Sequence, residues 1–172
     1  EMCIRDRSSQ LKNSRDTLSF LEKRLLDLPQ GGTAVGTGIN AHSRFSKVFA
    51  KELSKLVGKS FKAKPSDDFF QELSAQDTAV QVSGELKNLA VILMKISNDL
   101  RWMNSGPLSG LSEIELKALQ PGSSIMPGKV NPVIPEAVTM VAADVIGNDV
   151  TITVAGQACL LYTSDAADDI PR

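Results

Sequence analysis

Apolar residues recur along this chain mostly at helical spacing. From Gln76 to Met103 they fall at Ala79, Val82, Leu86, Leu89, Leu93, Ile96, Leu100 and Met103, at intervals of 3, 4, 3, 4, 3, 4 and 3. This unbroken heptad seam predicts one helix that meets other helices at shallow angles. At 1.5 Å per residue it is on the order of 40 Å long. A few short neighbours cannot cover such a length, so the seam predicts a long bundle and partner chains. Ser14–Leu28 reads as another helix, with Leu18, Leu21, Leu25 and Leu28 on one face, Ser14 or Asp16 near its cap, and Pro29 as its stop. His42–Val57 follows, ended by Gly58, and Ser66 or Asp67 caps a short helix beyond a polar connection. Ala137–Ala155 is apolar almost all round, with Pro135 suited to its first turn and Glu136 near the positive end of its dipole. Within it "VTITV" has strand propensity, but the bundle reading, and so a helix, is favoured. No clear alternating strand and no internal repeat is present, so the predicted fold class is all-α.

Composition narrows the partners. The chain has 172 residues, 42% hydrophobic and 23% charged, with a formal net charge of −1, which suits one soluble globular segment. The balanced charge and 5% aromatic content give no reason to expect a nucleic-acid partner. The apolar run Ala137–Ala155 carries Asp144, Asn148 and Asp149, which favours a helix buried in a bundle over a membrane span. No signal-peptide pattern is visible.

Both ends read as something other than protein. "MCIRD" at 2–6 is encoded by ATG TGT ATA AGA GAC, and the complement of that DNA, extended by one base, reads TGT CTC TTA TAC ACA, or "CLLYT", found at 159–163. One DNA element in opposite orientations thus explains both termini. Residues 1–7 and 159–172 are expected to be translated library adapters, leaving 8–158 as part of a helical domain. Both cysteines, Cys3 and Cys159, fall in these ends and carry no disulfide or metal reading.

The chemistry concentrates in "PGSSIMPGKVNP" at 121–132. A phosphate-binding loop is excluded by spacing: five residues separate Gly122 from Gly128, Val130 follows Lys129, and no strand precedes. Two readings stay open on the residues alone. One is a surface turn whose glycines and prolines merely break helices. The other is an anion-binding catalytic loop, in which backbone N–H groups, the Lys129 charge and the Asn131 amide stabilise an oxyanion. A serine in such a positive potential loses its proton more readily and can act as a base.

"GSSIMPGKVNP" is similar to the signature loop of the fumarase/aspartase superfamily, of general form G-S-S-x-x-P-x-K-x-N. "GGTAVGTGIN" at 31–40, "LMKISNDLRWMNSGP" at 93–107 and "VIGNDVTITVAG" at 145–156 resemble its class II fumarases. The resemblance implies a fragment of a long-helix central bundle from a cytoplasmic homotetramer. It implies reversible hydration of fumarate to L-malate without metal or other cofactor, with a dicarboxylate substrate and with neither nucleic acid nor membrane as partner. It makes Ser123 the base that removes the C3 proton. Ser124, Lys129 and Asn131 are then the substrate carboxylate donors, and Glu136 the partner of a histidine from another region. That histidine, the family's T-x-S-S-N-type segment, and the portion after "AGQ" have no counterpart here. His42, in "NAHSRFSK", lies outside the histidine motif and is expected at the surface near a helix start. Aspartate ammonia-lyase shares the loop and is the rival activity. An inactive helical oligomerisation fragment is the rival for the chain as it stands. "GGTAVGTG" lacks the third glycine of a dinucleotide fingerprint, since Ala41 stands there. It is expected to serve tight packing, with Phe69 and Phe70 beneath it.

Overall fold

The computed structural model describes residues 2–58, 61–106, 108–120, 122, 125–126 and 128–157. Among the described residues there are five helices: α1 (Met2–Arg24), α2 (Phe45–Val57), α3 (Phe69–Ser74), α4 (Asp77–Met103) and α5 (Val133–Gly156). Two two-residue strands, β1 (Asp27–Leu28) and β2 (Lys64–Pro65), pair in parallel. The chain divides into two compact units, one built from residues up to Arg15 with Ser83–Val150, the other from Asp16–Val82 with the chain from Thr151.

The long helices form where the spacing placed them, and α4 begins one residue later than expected, at Asp77. The start of α1 differs more. Ser14 is not near a cap but twelve residues inside the helix, 2% exposed, with its hydroxyl donating to Glu85 Oε1 at 2.5 Å. The hydroxyl that sequence assigns to a helix end is spent on a neighbouring helix instead. Segment 2–7 belongs to this same helix, and Arg7 pairs with Asp99. At its other end α1 stops at Arg24, short of Leu28, because the chain there turns to pair with β2. Lys64 N donates to Leu26 O at 2.9 Å and Ser66 N to Leu28 O at 2.9 Å. The cap of α3 is Asp68 rather than Ser66 or Asp67, its carboxylate accepting from Phe70 N and Gln71 N at 2.9 and 3.2 Å. Helix α2 opens at Phe45, not His42, and ends on Gly58 as expected.

In the first unit, the residues of α4 that the chain covers most fully are Ser83, Ala90 and Ser97, one every heptad along the edge of the predicted seam. The seam itself is only part-covered: Leu86 remains 44% exposed. Between α4 and α5 runs an apolar groove of about 480 Å³, walled by Leu86, Leu89 and Leu93 on one side and Val138, Val141 and Val145 on the other. Helix α5 includes "VTITV", so that stretch is helical and not a strand. The expectation that α5 is buried all round does not hold for this chain. Only Pro135, Ala142 and Asp149 are buried, while Met140, Val141 and Val150 face outward. By length and composition alone, α5 is apolar enough to cross a membrane.

In the second unit the glycine-rich loop 31–40 lies hard against its neighbours. A Cβ on Gly32 would come within 2.8 Å of Phe69 Cβ, and one on Gly36 within 2.9 Å of the Phe70 backbone. Phe69 and Phe70 therefore support this loop, as the sequence suggested.

Candidate functional site

The loop before α5 is built by two constraints. Gly122 approaches Lys129 so closely that a Cβ there would lie 1.8 Å from the Lys129 carbonyl oxygen, so only glycine lets the two limbs meet. Beyond that pinch, Lys129 N donates to Met126 O at 3.1 Å, and Gly128 turns the chain at φ 83°. Ser123 and Ser124, which sequence nominates as base and carboxylate donor, lie outside the described residues, as do Pro121 and Pro127.

The remaining nominated residues follow in order into α5. Lys129 is exposed and Asn131 is half-buried, its carbonyl accepting from Val133 N at 2.9 Å. Glu136 is half-buried in the first turn of α5, its N–H donating to Pro132 O at 3.1 Å. Its carboxylate thus sits where the helix dipole favours negative charge. Among the described residues the Lys129, Asn131 and Glu136 side chains form no hydrogen bond or ion pair with one another. The segment is a set of donors and charges on one short path, open on its outer side, where Ile125 is 87% exposed. Such an arrangement can receive a small anion at the start of a helix.

One ionic cluster was legible only as an argument against a membrane. Asp149, 3% exposed on α5, accepts from the Ser83 hydroxyl at 2.7 Å and from Lys87 Nζ at 2.6 Å. These hydrogen bonds, the one from Lys87 foremost, hold its carboxyl below the ordinary 3.8. The cluster ties α5, and with it the root of the loop, to α4. The signal available in the sequence was an aspartate at the end of an apolar run with lysine and serine on the long helix, but nothing there gave the pairing.

His42 is exposed just before α2, where its Nδ1 accepts from Arg44 N at 3.2 Å and its carbonyl accepts from Phe45 N at 2.8 Å. It serves the local turn, as expected.

Residues 4–147 match a protein family described as lyase. "Fumarate hydratase class II 2" of Pseudomonas aeruginosa is 70% identical over 134 residues, covering 78% of this chain and 29% of that protein. "Fumarate hydratase class II" of Xylella fastidiosa is 58% identical over 151 residues, covering 88% of this chain and 32% of that protein. Among solved structures, recombinant class II fumarase from Schistosoma mansoni superposes with a TM-score of 0.88 at 35% identity, over 93% of this chain and 36% of that one. Fumarate lyase:delta crystallin from Brucella melitensis, bound to cobalt, gives 0.82 at 42% identity, over 91% and 34%. The chain spans less than a third of the length of these two curated relatives.

Proposed function

The chain belongs to the lyase family, and we propose that it is part of a fumarate hydratase that interconverts fumarate and L-malate. The observation that carries this reading is 70% identity to a relative named fumarate hydratase, in a chain that spells G-S-S-x-x-P-x-K-x-N in full. In the dehydration direction Ser123 takes the C3 proton of malate. The electron pair left on C3 is delocalised into the adjacent carboxylate and then forms the C2–C3 double bond as the C2–O bond breaks, the hydroxyl leaving as water with a proton from the histidine site of the parent enzyme. A proton beside a carboxylate is barely acidic unless that growing charge is stabilised in place. Ser124, Lys129 and Asn131 supply the stabilisation, and Glu136 orients a histidine contributed by another part of the parent enzyme. The glycines and prolines of 121–132 let the loop close and exclude water.

The parent is a cytoplasmic homotetramer, with further copies or segments covering the seam of α4 and the outward side of α5. The groove between these helices supports this reading, since apolar area of that kind is costly in water. A site assembled from several parts is incomplete in this chain, so the 172-residue chain alone is expected to be inactive. The test is an assay of the intact gene product for malate dehydration beside aspartate deamination. Fumarate forming from malate and not from aspartate is the expected result. Ammonia release from aspartate would transfer the assignment to aspartate ammonia-lyase.

A further inference from the structure

Charge is distributed unevenly in this chain. Residues 47–65 hold six lysines and one acid, Glu52, within a sequence of net charge −1. Helix α2 places Lys47, Lys51 and Lys55 at i, i+4 and i+8, on one face. After Gly58 the chain turns back along α2, and Ser54 holds it there. Its hydroxyl donates to Ala50 O at 2.8 Å and accepts from Ala63 N at 2.9 Å. Between the helix and this returning segment lies a groove of about 730 Å³. Its floor is apolar, formed by Ala50, Phe61, Ala63 and Pro65, and its rim carries Lys47, Lys51, Lys55, Lys62 and Lys64.

The rim is only partly neutralised from within. Lys55 pairs with Glu52 at 2.6 Å, and Lys64 with Asp27 at 2.8 Å. Lys47, Lys51 and Lys62 have no carboxylate within ion-pairing distance among the described residues. Like charges gathered around one cavity repel one another, and an anion placed among them relieves that repulsion. All five rim cations are lysines, which act as mobile point charges and impose no bidentate geometry. The rim therefore selects charge and not a planar head group, while the floor selects hydrocarbon. The volume is in the usual range of small-ligand sites, roughly 300–1,000 Å³.

We propose that this lysine-rimmed groove is a binding site for a single-chain anionic amphiphile, an alkyl chain ending in a phosphate or carboxylate. The head group lies among Lys47, Lys51 and Lys62, and the chain lies along Phe61 and Ala63. Titration calorimetry on the 172-residue chain tests this with dodecyl phosphate and laurate, below their micelle concentrations and at physiological salt. Both are expected to bind at one site. Succinate, which has charge without a chain, and dodecyltrimethylammonium, which has a chain with the opposite charge, are expected to bind at least tenfold more weakly. The K51E/K62E variant should lose at least tenfold in affinity for dodecyl phosphate, and K51R/K62R should retain it, both with unchanged circular dichroism. Tighter binding of dodecyl phosphate than of laurate would identify phosphate as the preferred head within the class. Unchanged affinity in K51E/K62E would overturn the proposal and move the ligand to the apolar groove between α4 and α5. Equal binding of the cationic amphiphile, or no binding of either anion, would overturn it as well.

Discussion

Two loops that both depend on glycine, 31–40 and 121–132, use it in opposite ways. In 31–40 the glycines are places where there is no room: Gly31, Gly32 and Gly36 each approach a neighbour so that a Cβ would fall within 3 Å of it. Among the described residues of 121–132, Gly122 meets Lys129 at the base, while Gly128 has nothing within 4 Å of a Cβ position and Ile125 is exposed. Glycine enters the first loop to let elements touch, and Gly128 enters the second to let the chain turn. A glycine in the sequence does not by itself say whether it serves a close contact or a turn. The surroundings of each missing Cβ do.

The largest effect that would sharpen this contrast is on the working loop. Ser123→Ala in the intact enzyme is expected to lower kcat by about a thousandfold, within the usual range for loss of a general base. The urea denaturation midpoint should not move. Turnover close to that of the unmodified enzyme would remove Ser123 from the mechanism and leave the loop a surface turn.

Next in size is a paired alanine experiment. At Gly36 the new Cβ meets Phe70 Cα at 2.9 Å with φ at 90°, so clash adds to backbone strain and the cost is about 3 kcal/mol. At Gly128 only the strain of φ 83° remains, about 1 kcal/mol. Urea unfolding of both variants should rank them in that order, and Gly128→Ala should be felt in kcat more than in stability. The reverse ranking would break the distinction between the loops.

The smallest expected effect concerns the platform from which the second loop rises. The Asp149 carboxyl titrates lower in the folded state than in the unfolded chain. Its stabilisation is therefore complete above the ordinary value of 3.8 and is lost as pH falls through the folded value. Asp149→Asn is expected to denature at lower urea than the unmodified protein at pH 7, with the gap narrowing as pH falls below 3.8. A gap that stays constant down to pH 3 would show that packing, and not charge, holds this corner.

Helix α4 was legible because its heptad spacing tolerates no other regular structure over 27 residues. The end of α2 was legible because Gly58 stands where a left-handed φ of 131° is needed. Ser14 misled because a hydroxyl satisfies a helix cap or a neighbouring carboxylate equally well, and only tertiary packing chooses. "VTITV" is helical as favoured, because β-branched strand propensity is a weak preference that context overrides. The exposure of α5 could not be read at all, since an apolar surface records that something covers it but not whether the cover is in the same chain. At the candidate site the family resemblance nominated the donors. It did not reveal the pinch at Gly122, which depends on a contact between residues seven apart.

The row Ser83, Ala90 and Ser97 works as a spacer gauge. Interhelical distance, about 8–10 Å, follows the bulk of the residues at the contact. Ser83 faces Asp149, and Ala90 lines the groove toward α5. Two atoms of side chain at position 83, in place of a leucine's four, bring a hydroxyl within 2.7 Å of a carboxylate on the opposing helix. A bulkier residue at 83 or 90 would push the axes apart and open the polar contacts calibrated to that separation, even those whose own side chains were untouched.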